Sequence, residues 1–139
     1  MNPTQLIEQA QLARSRAYAP YSQFQVGAAL LCKDGSIFHG CNVENAAYGL
    51  CHCAERTALM CAIAAGQNPH QFAAMAIIAD TQEPICPCGS CRQVIVELAG
   101  IDLPIYMSNL QGKIRQATAG ELLPFAFLPD HLNHSQNQS

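Results

Sequence analysis

Residues 72–79, Phe-Ala-Ala-Met-Ala-Ile-Ile-Ala, carry no polar side chain. Such a strand belongs where both of its faces are covered, in the middle of a sheet. The chain therefore needs helices for two faces, and its pattern supplies them. Residues 3–17 read as one helix: Pro3 suits the first position behind Asn2 as cap, and Leu6, Ile7, Ala10, Ala13 and Ala17 share a face. Residues 53–65 read as a second, ending before Gly66, and residues 89–99 as a third, buried one, ending before Gly100. After Thr57 the second helix has almost no polar face, which points to burial all round, at a subunit interface as well as in a core.

Strands are expected at 24–32 and 36–41, turning through Lys33-Asp34-Gly35, and at 103–107 and 113–116 around Asn109-Leu110-Gln111-Gly112. Residues 42–52 have no period and read as a loop. Thr118-Ala119-Gly120-Glu121 has capping-box spacing before a short last helix, and residues 133–139 form a polar tail. The order α, β, β, α, β, α, β, β, α implies a single three-layer α/β domain over residues 1–132, with a mixed five-stranded sheet and helices on both faces.

Charge narrows the function. With 7 Lys and Arg and a net charge of −3, the chain lacks the clustered cations that bind a polynucleotide, so a small neutral substrate is favoured. No apolar run is long enough to span a membrane. Met1-Asn2-Pro3-Thr4 does not open a secretory signal, so the eight cysteines read as reduced thiols and metal ligands in the cytoplasm.

Two clusters carry the chemistry: Cys51-His52-Cys53-Ala54-Glu55-Arg56 and Pro84-Ile85-Cys86-Pro87-Cys88-Gly89-Ser90-Cys91-Arg92. Each lies where a loop feeds a helix, and a helix N-terminus favours thiolate. Cys88 and Cys91 form a C-x-x-C pair, which alone also fits a redox dithiol. Cys53 offers a third sulfur, and three ligands leave zinc one open position, as in catalytic sites. Cys51, His52 or Cys86 would instead close a structural four-ligand site. Glu55, two residues after Cys53, is placed to move protons beside such a metal; alone it would read as a glutamate favouring the helix dipole. Cys32, Cys41 and Cys61 read as core thiols, and His131 and His134 as surface residues.

C-A-E at Cys53–Glu55 followed by P-C-G-S-C at Pro87–Cys91 resembles the zinc-deaminase signature in its three-cysteine form. The text around it resembles the small homotetrameric cytidine deaminases from about residue 4 to residue 132. The matching stretches are Tyr21–Leu30, Gly40–Leu50, Cys53–Arg56, Pro87–Gln93, and Glu121–Pro124 with Phe127. The resemblance implies hydrolytic deamination of cytidine and 2′-deoxycytidine, by zinc-activated water with a glutamate proton shuttle, in pyrimidine salvage. It implies one Zn²⁺ per subunit on Cys53, Cys88 and Cys91, Glu55 as the shuttle, and Arg56 drawing charge from the sulfurs. It places Asn42 and Glu44 on the ribose hydroxyls and Phe24 against the base, with Ala54 also at the substrate. Ala46, Tyr48 and Phe127 cross subunit boundaries in a homotetramer with shared active sites. Read without the resemblance, Asn42 and Glu44 are turn residues, Phe24 is core and Arg56 is a surface cation.

Three other functions compete, besides the redox dithiol that Cys88 and Cys91 would form. An antibiotic deaminase shares C-A-E and P-C-G-x-C, but the Asn42–Gly49 stretch argues against it. A strand-editing deaminase needs a cationic path. A non-catalytic zinc module needs a fourth protein ligand.

Overall fold

The computed structural model describes residues 1–132. The strands β1 (Val26–Cys32), β2 (Ile37–Cys41), β3 (Phe72–Ala79), β4 (Pro104–Asn109) and β5 (Ile114–Thr118) form one sheet in the order β2-β1-β3-β4-β5. β3 is central, antiparallel to β1 and parallel to β4. The parallel pair requires a crossover, and helix α3 (Gly89–Ala99) makes it.

The apolar run behaves as its composition demands. Ala74, Ala76 and Ile78 pack on one face with Leu6 and Ala10 of α1 (Pro3–Arg14). Met75 and Ile77 pack on the other, with Ala58 and Leu59 of α2 (Ala54–Ala64) and Ile95 of α3. The alternation is the two-residue period of a strand. Two glycines set how closely the layers approach. A Cβ on Gly27 would lie 2.0 Å from the Ala10 carbonyl oxygen, and one on Gly40 would lie 2.2 Å from that of Ala54. Gly40 thus lets the first turn of α2 lie directly on β2.

Four expectations are corrected. α1 stops at Arg14, three residues early, because Tyr18 is drawn into long-range pairing: its N–H donates to the Asn42 carbonyl and its carbonyl accepts from Glu44. β1 starts at Val26, so Phe24 precedes the strand. There the Asn42 side chain replaces a ladder partner, accepting from the Val26 N–H (2.8 Å) and donating to the Phe24 carbonyl (2.7 Å). The apolar α2 is not buried all round in one chain: Met60 and Cys61 are exposed, so Cys61 is not a core thiol here. α3 buries Cys91, Ile95, Val96 and Ala99 along one side only.

The capping boxes at Asn2/Gln5 and Thr118/Glu121 both form. The latter opens α4 (Ala119–Leu122); Pro124 follows, and a further short helix, α5 (Pro129–Leu132), lies beyond it. The polar tail and His134 lie outside the described residues.

Candidate active site

Two helix starts converge to make the site. Cys53 is the residue before α2 and Cys88 the residue before α3, both in extended backbone. Cys91 lies in the first turn of α3 and is fully buried. The sulfurs of Cys53, Cys88 and Cys91 all lie within 4.8 Å of one another. Cys53 Sγ and Cys88 Sγ are 3.8 Å apart. Two thiolates bound tetrahedrally to one zinc at about 2.3 Å stand about 3.8 Å apart, so the spacing fits the ion.

The charge state of the sulfurs points the same way. The Cys53 thiol is lowered to about 5, first by its hydrogen bond with Cys91, then by Arg56 and Cys88. Cys91 is pushed far up by that same bond and by burial. Three thiols by themselves concentrate negative charge on one sulfur; a dication is what lets all three ionise. The Arg56 Nη2 donates to Cys53 Sγ at 3.5 Å, while its buried Nε has no partner among the described residues. Arg56 is thus a cation on the sulfur cluster, not a solvated surface group.

The possible fourth ligands do not join. Cys51 Sγ accepts the Asn45 N–H (3.3 Å) and donates to the Asn45 carbonyl (3.6 Å), closing its own loop. Cys86 Sγ faces the Pro84 carbonyl at 3.9 Å. His52 is exposed, its backbone paired with Val43.

Glu55 is 4% exposed in the first turn of α2. Burial, above all, raises its carboxyl above the ordinary range, and the charge on Cys53 adds to this. The other buried polar side chains are structural: Ser108 Oγ donates to the Ile77 carbonyl and Asn109 Nδ2 to that of Gln82. Glu55 instead lines a cleft of about 250 Å³, together with Cys53, Ala54 and Cys88.

Phe24, Asn42 and Glu44 line the same cleft. Asn42 holds the backbone at 24–26, as described above. Glu44 Oε1 accepts the N–H groups of Tyr21 (3.0 Å) and Ser22 (3.1 Å), and Oε2 accepts the Ser22 hydroxyl. The Ser22 hydroxyl, first among these, holds the Glu44 carboxyl below its usual range. The turn-forming role and the cleft-lining position therefore coexist.

One chain does not bring Ala46, Tyr48 or Phe127 to the cleft. Ala46 is exposed; Tyr48 is 73% exposed, edge-on to Tyr21; Phe127 is 57% exposed against the His131 ring. Cys51, His52 and Cys86, weighed from sequence as further ligands, line the cleft, as do Val26 and Ile85, which sequence reasoning missed. Val26 was findable, two residues along from Phe24, as was Ile85 beside Cys86. Arg92 was missed too. Its Nε donates to the Pro87 carbonyl (2.7 Å) and its Nη1 to that of Leu122 (2.9 Å), pinning the loop before Cys88 to the C-terminal segment.

Known proteins resemble this chain in sequence and fold. Residues 1–107 match the cytidine and deoxycytidylate deaminase zinc-binding region. A cytidine deaminase of Halalkalibacterium halodurans is 53% identical over 133 residues, covering 96% of this chain and 99% of that protein. One from Sporosarcina psychrophila is 48% identical over 138 residues, 99% of this chain and 100% of that protein. The crystal structure of cytidine deaminase from Burkholderia pseudomallei superposes with a TM-score of 0.91 at 58% identity, covering 91% of this chain and 100% of that one. Fold, sulfur cluster and sequence agree: the chain belongs to the cytidine and deoxycytidylate deaminase family.

Proposed function

We propose that the protein deaminates cytidine and 2′-deoxycytidine hydrolytically, giving uridine and 2′-deoxyuridine with release of ammonia, as a step of pyrimidine salvage. One observation carries the reading: a buried carboxyl, Glu55, raised by burial above the ordinary range, lines the same cleft as a cluster of three sulfurs. Cys53, Cys88 and Cys91 hold one Zn²⁺ per subunit. Zinc, when bound, supplies the Lewis acidity that lets an attacking water lose its proton near neutral pH. Glu55 takes that proton, protonates N3 of the pyrimidine as C4 is attacked, and carries a proton to the departing amine. Arg56, by donating to Cys53, draws charge from the thiolates.

Phe24 packs against the base beside Ala54, and Asn42 and Glu44 receive the sugar hydroxyls. No Lys or Arg lines the cleft among the described residues, which favours a nucleoside over a nucleotide or a strand. The cysteines are all free, in keeping with the cytoplasm. No helix among the described residues is long and apolar enough to cross a membrane. Residues 1–132 form the catalytic domain and 133–139 its polar tail. The enzyme is a homotetramer in which Ala46, Tyr48 and Phe127 complete a neighbour's site. The support is their exposure, with Met60 and Cys61, in the single chain.

Glu55→Ala tests the reading. Zinc should stay near one per subunit by metal analysis, while the loss of cytidine ultraviolet absorbance slows by about 10³-fold or more. Turnover that survives the substitution would overturn the mechanism.

A further inference from the structure

Glu44 is tied more fully than a half-exposed glutamate needs to be. A carboxylate has about four acceptor positions, two on each oxygen. The Tyr21 and Ser22 N–H groups fill both positions on Oε1. Those two bonds already satisfy the backbone. The Ser22 hydroxyl nevertheless donates to Oε2, leaving one acceptor position on the whole group. The Ser22 oxygen also accepts the Phe24 N–H at 3.0 Å, across a Gln23 whose φ is +60°. A single hydroxyl thus joins two residues of the cleft wall, Phe24 and Glu44.

We propose that Ser22 is a positioning residue whose hydroxyl fixes the Glu44 carboxylate so that its last acceptor position, on Oε2, receives a sugar hydroxyl of the substrate. The proposal rests on the reading of Glu44 as a sugar-binding residue. Ser22 is neither in the sulfur cluster nor among the residues lining the cleft beside it, so it governs binding of the sugar and not the chemical step. Without it the carboxylate pivots about Oε1, and the sugar hydroxyl meets a disordered acceptor.

The test uses the zinc-loaded enzyme with cytidine and with 2′,3′-dideoxycytidine, which lacks the 2′ and 3′ hydroxyls that Glu44 is proposed to receive. Ser22→Ala should raise KM for cytidine by roughly 5- to 10-fold, the worth of one partly exposed bond to a charged acceptor, and leave kcat within about twofold. The preference for cytidine over the dideoxynucleoside in kcat/KM should shrink by the same factor, and Ser22→Thr should restore it. Ser22→Cys, a weaker donor of similar shape, should give an intermediate preference and carries the test if the alanine variant does not fold. Glu44→Gln separates two failures. If it leaves the preference intact, the sugar-binding reading of Glu44 falls and Ser22's role with it. If it abolishes the preference and Ser22→Ala does not, the Ser22 proposal alone is wrong. Equal losses on both nucleosides, or a fall in kcat at constant KM, would also overturn it.

Discussion

Gly40→Ala separates the packing of the fold from the geometry of the metal cluster. A Cβ at position 40 would stand 2.2 Å from the Ala54 carbonyl oxygen, 2.5 Å from Ala58 N and 2.9 Å from Ala58 Cβ. Two of these atoms are backbone, so no rotamer change relieves the overlap and α2 itself must give way. Ordinary contact begins near 3.4 Å, so the required displacement is about 1 Å. Cys53 and Glu55 move with α2, whereas Cys88 and Cys91 stay with α3. A shift of that size is large beside a zinc–sulfur bond of about 2.3 Å. Stability should fall by about 1–3 kcal/mol from overpacking. Zinc affinity should fall about 10- to 100-fold, and kcat/KM for cytidine about 100-fold. Gly27→Ala is the control. Its Cβ would lie 2.0 Å from the Ala10 carbonyl oxygen and 2.6 Å from Arg14 N, an equal overlap on the opposite face of the sheet. It should lose comparable stability in urea unfolding yet keep wild-type zinc affinity in competition with a chromophoric chelator. The reasoning is refuted if Gly40→Ala binds zinc and turns over like wild type, or if Gly27→Ala loses zinc to the same extent.

Further perturbations probe single groups. Cys88→Ser should abolish stoichiometric zinc, while Cys51→Ser and Cys86→Ser should retain it; metal analysis of the three variants decides whether the fourth position is free of protein. Arg56→Gln removes the donor on Cys53 Sγ, leaves more charge on the sulfurs and should lower kcat about 10- to 100-fold. The acid limb of its pH–rate profile should also move to higher pH, and an unmoved limb would count against charge withdrawal. Asp34 is held at about 2, chiefly by the Ser36 hydroxyl and then by Gln67. Between pH 4 and 2 the unfolded chain then binds more protons at this group than the native one, so its contribution to stability is present above pH 4 and is lost toward pH 2. Asp34→Asn should accordingly unfold at lower urea than wild type at pH 7, with the gap closing near pH 2.

Much of this arrangement was legible in the chain because it is local. β3 and α3 occupy the residues read for them, 72–79 and 89–99. The first is an unbroken apolar run between Gln71 and Asp80; the second ends at Gly100, whose φ of +95° suits glycine. The sulfur cluster was legible for a related reason. A helix start fixes where its first residues point, so Cys53, Cys88 and Cys91 follow once the starts of α2 and α3 are known. The bonds that hold the cleft walls were not legible, since they run from side chains to backbone far along the chain. Asn42 reaches residues 24 and 26, and Glu44 reaches 21 and 22. The Asn42 bonds also explain why β1 began late, and the backbone pairing of Tyr18 with Asn42 and Glu44 why α1 ended early. The exposed side of α2 escaped for a different reason: its composition demands cover that one chain does not supply.

The charges at the site form one coupled system. Three thiolates on a dication would leave a net negative charge for the cluster to bear inside the protein. The starts of α2 and α3, with their free N–H groups, and the Arg56 guanidinium all act to offset it. At Glu55 burial, above all, and then the Cys53 charge raise the carboxyl, while Arg56 acts to lower it. That rise is useful. A carboxyl at its ordinary value would be ionised near neutral pH and would return a proton to the pyrimidine only at a cost in free energy. A carboxyl raised above its ordinary value regains a proton at smaller cost once it has given it up, which is what the proposed shuttle would require. If the three sulfurs hold the zinc, they also tune the acid beside it, so Arg56→Gln should raise the Glu55 carboxyl further while it weakens the metal as an acid.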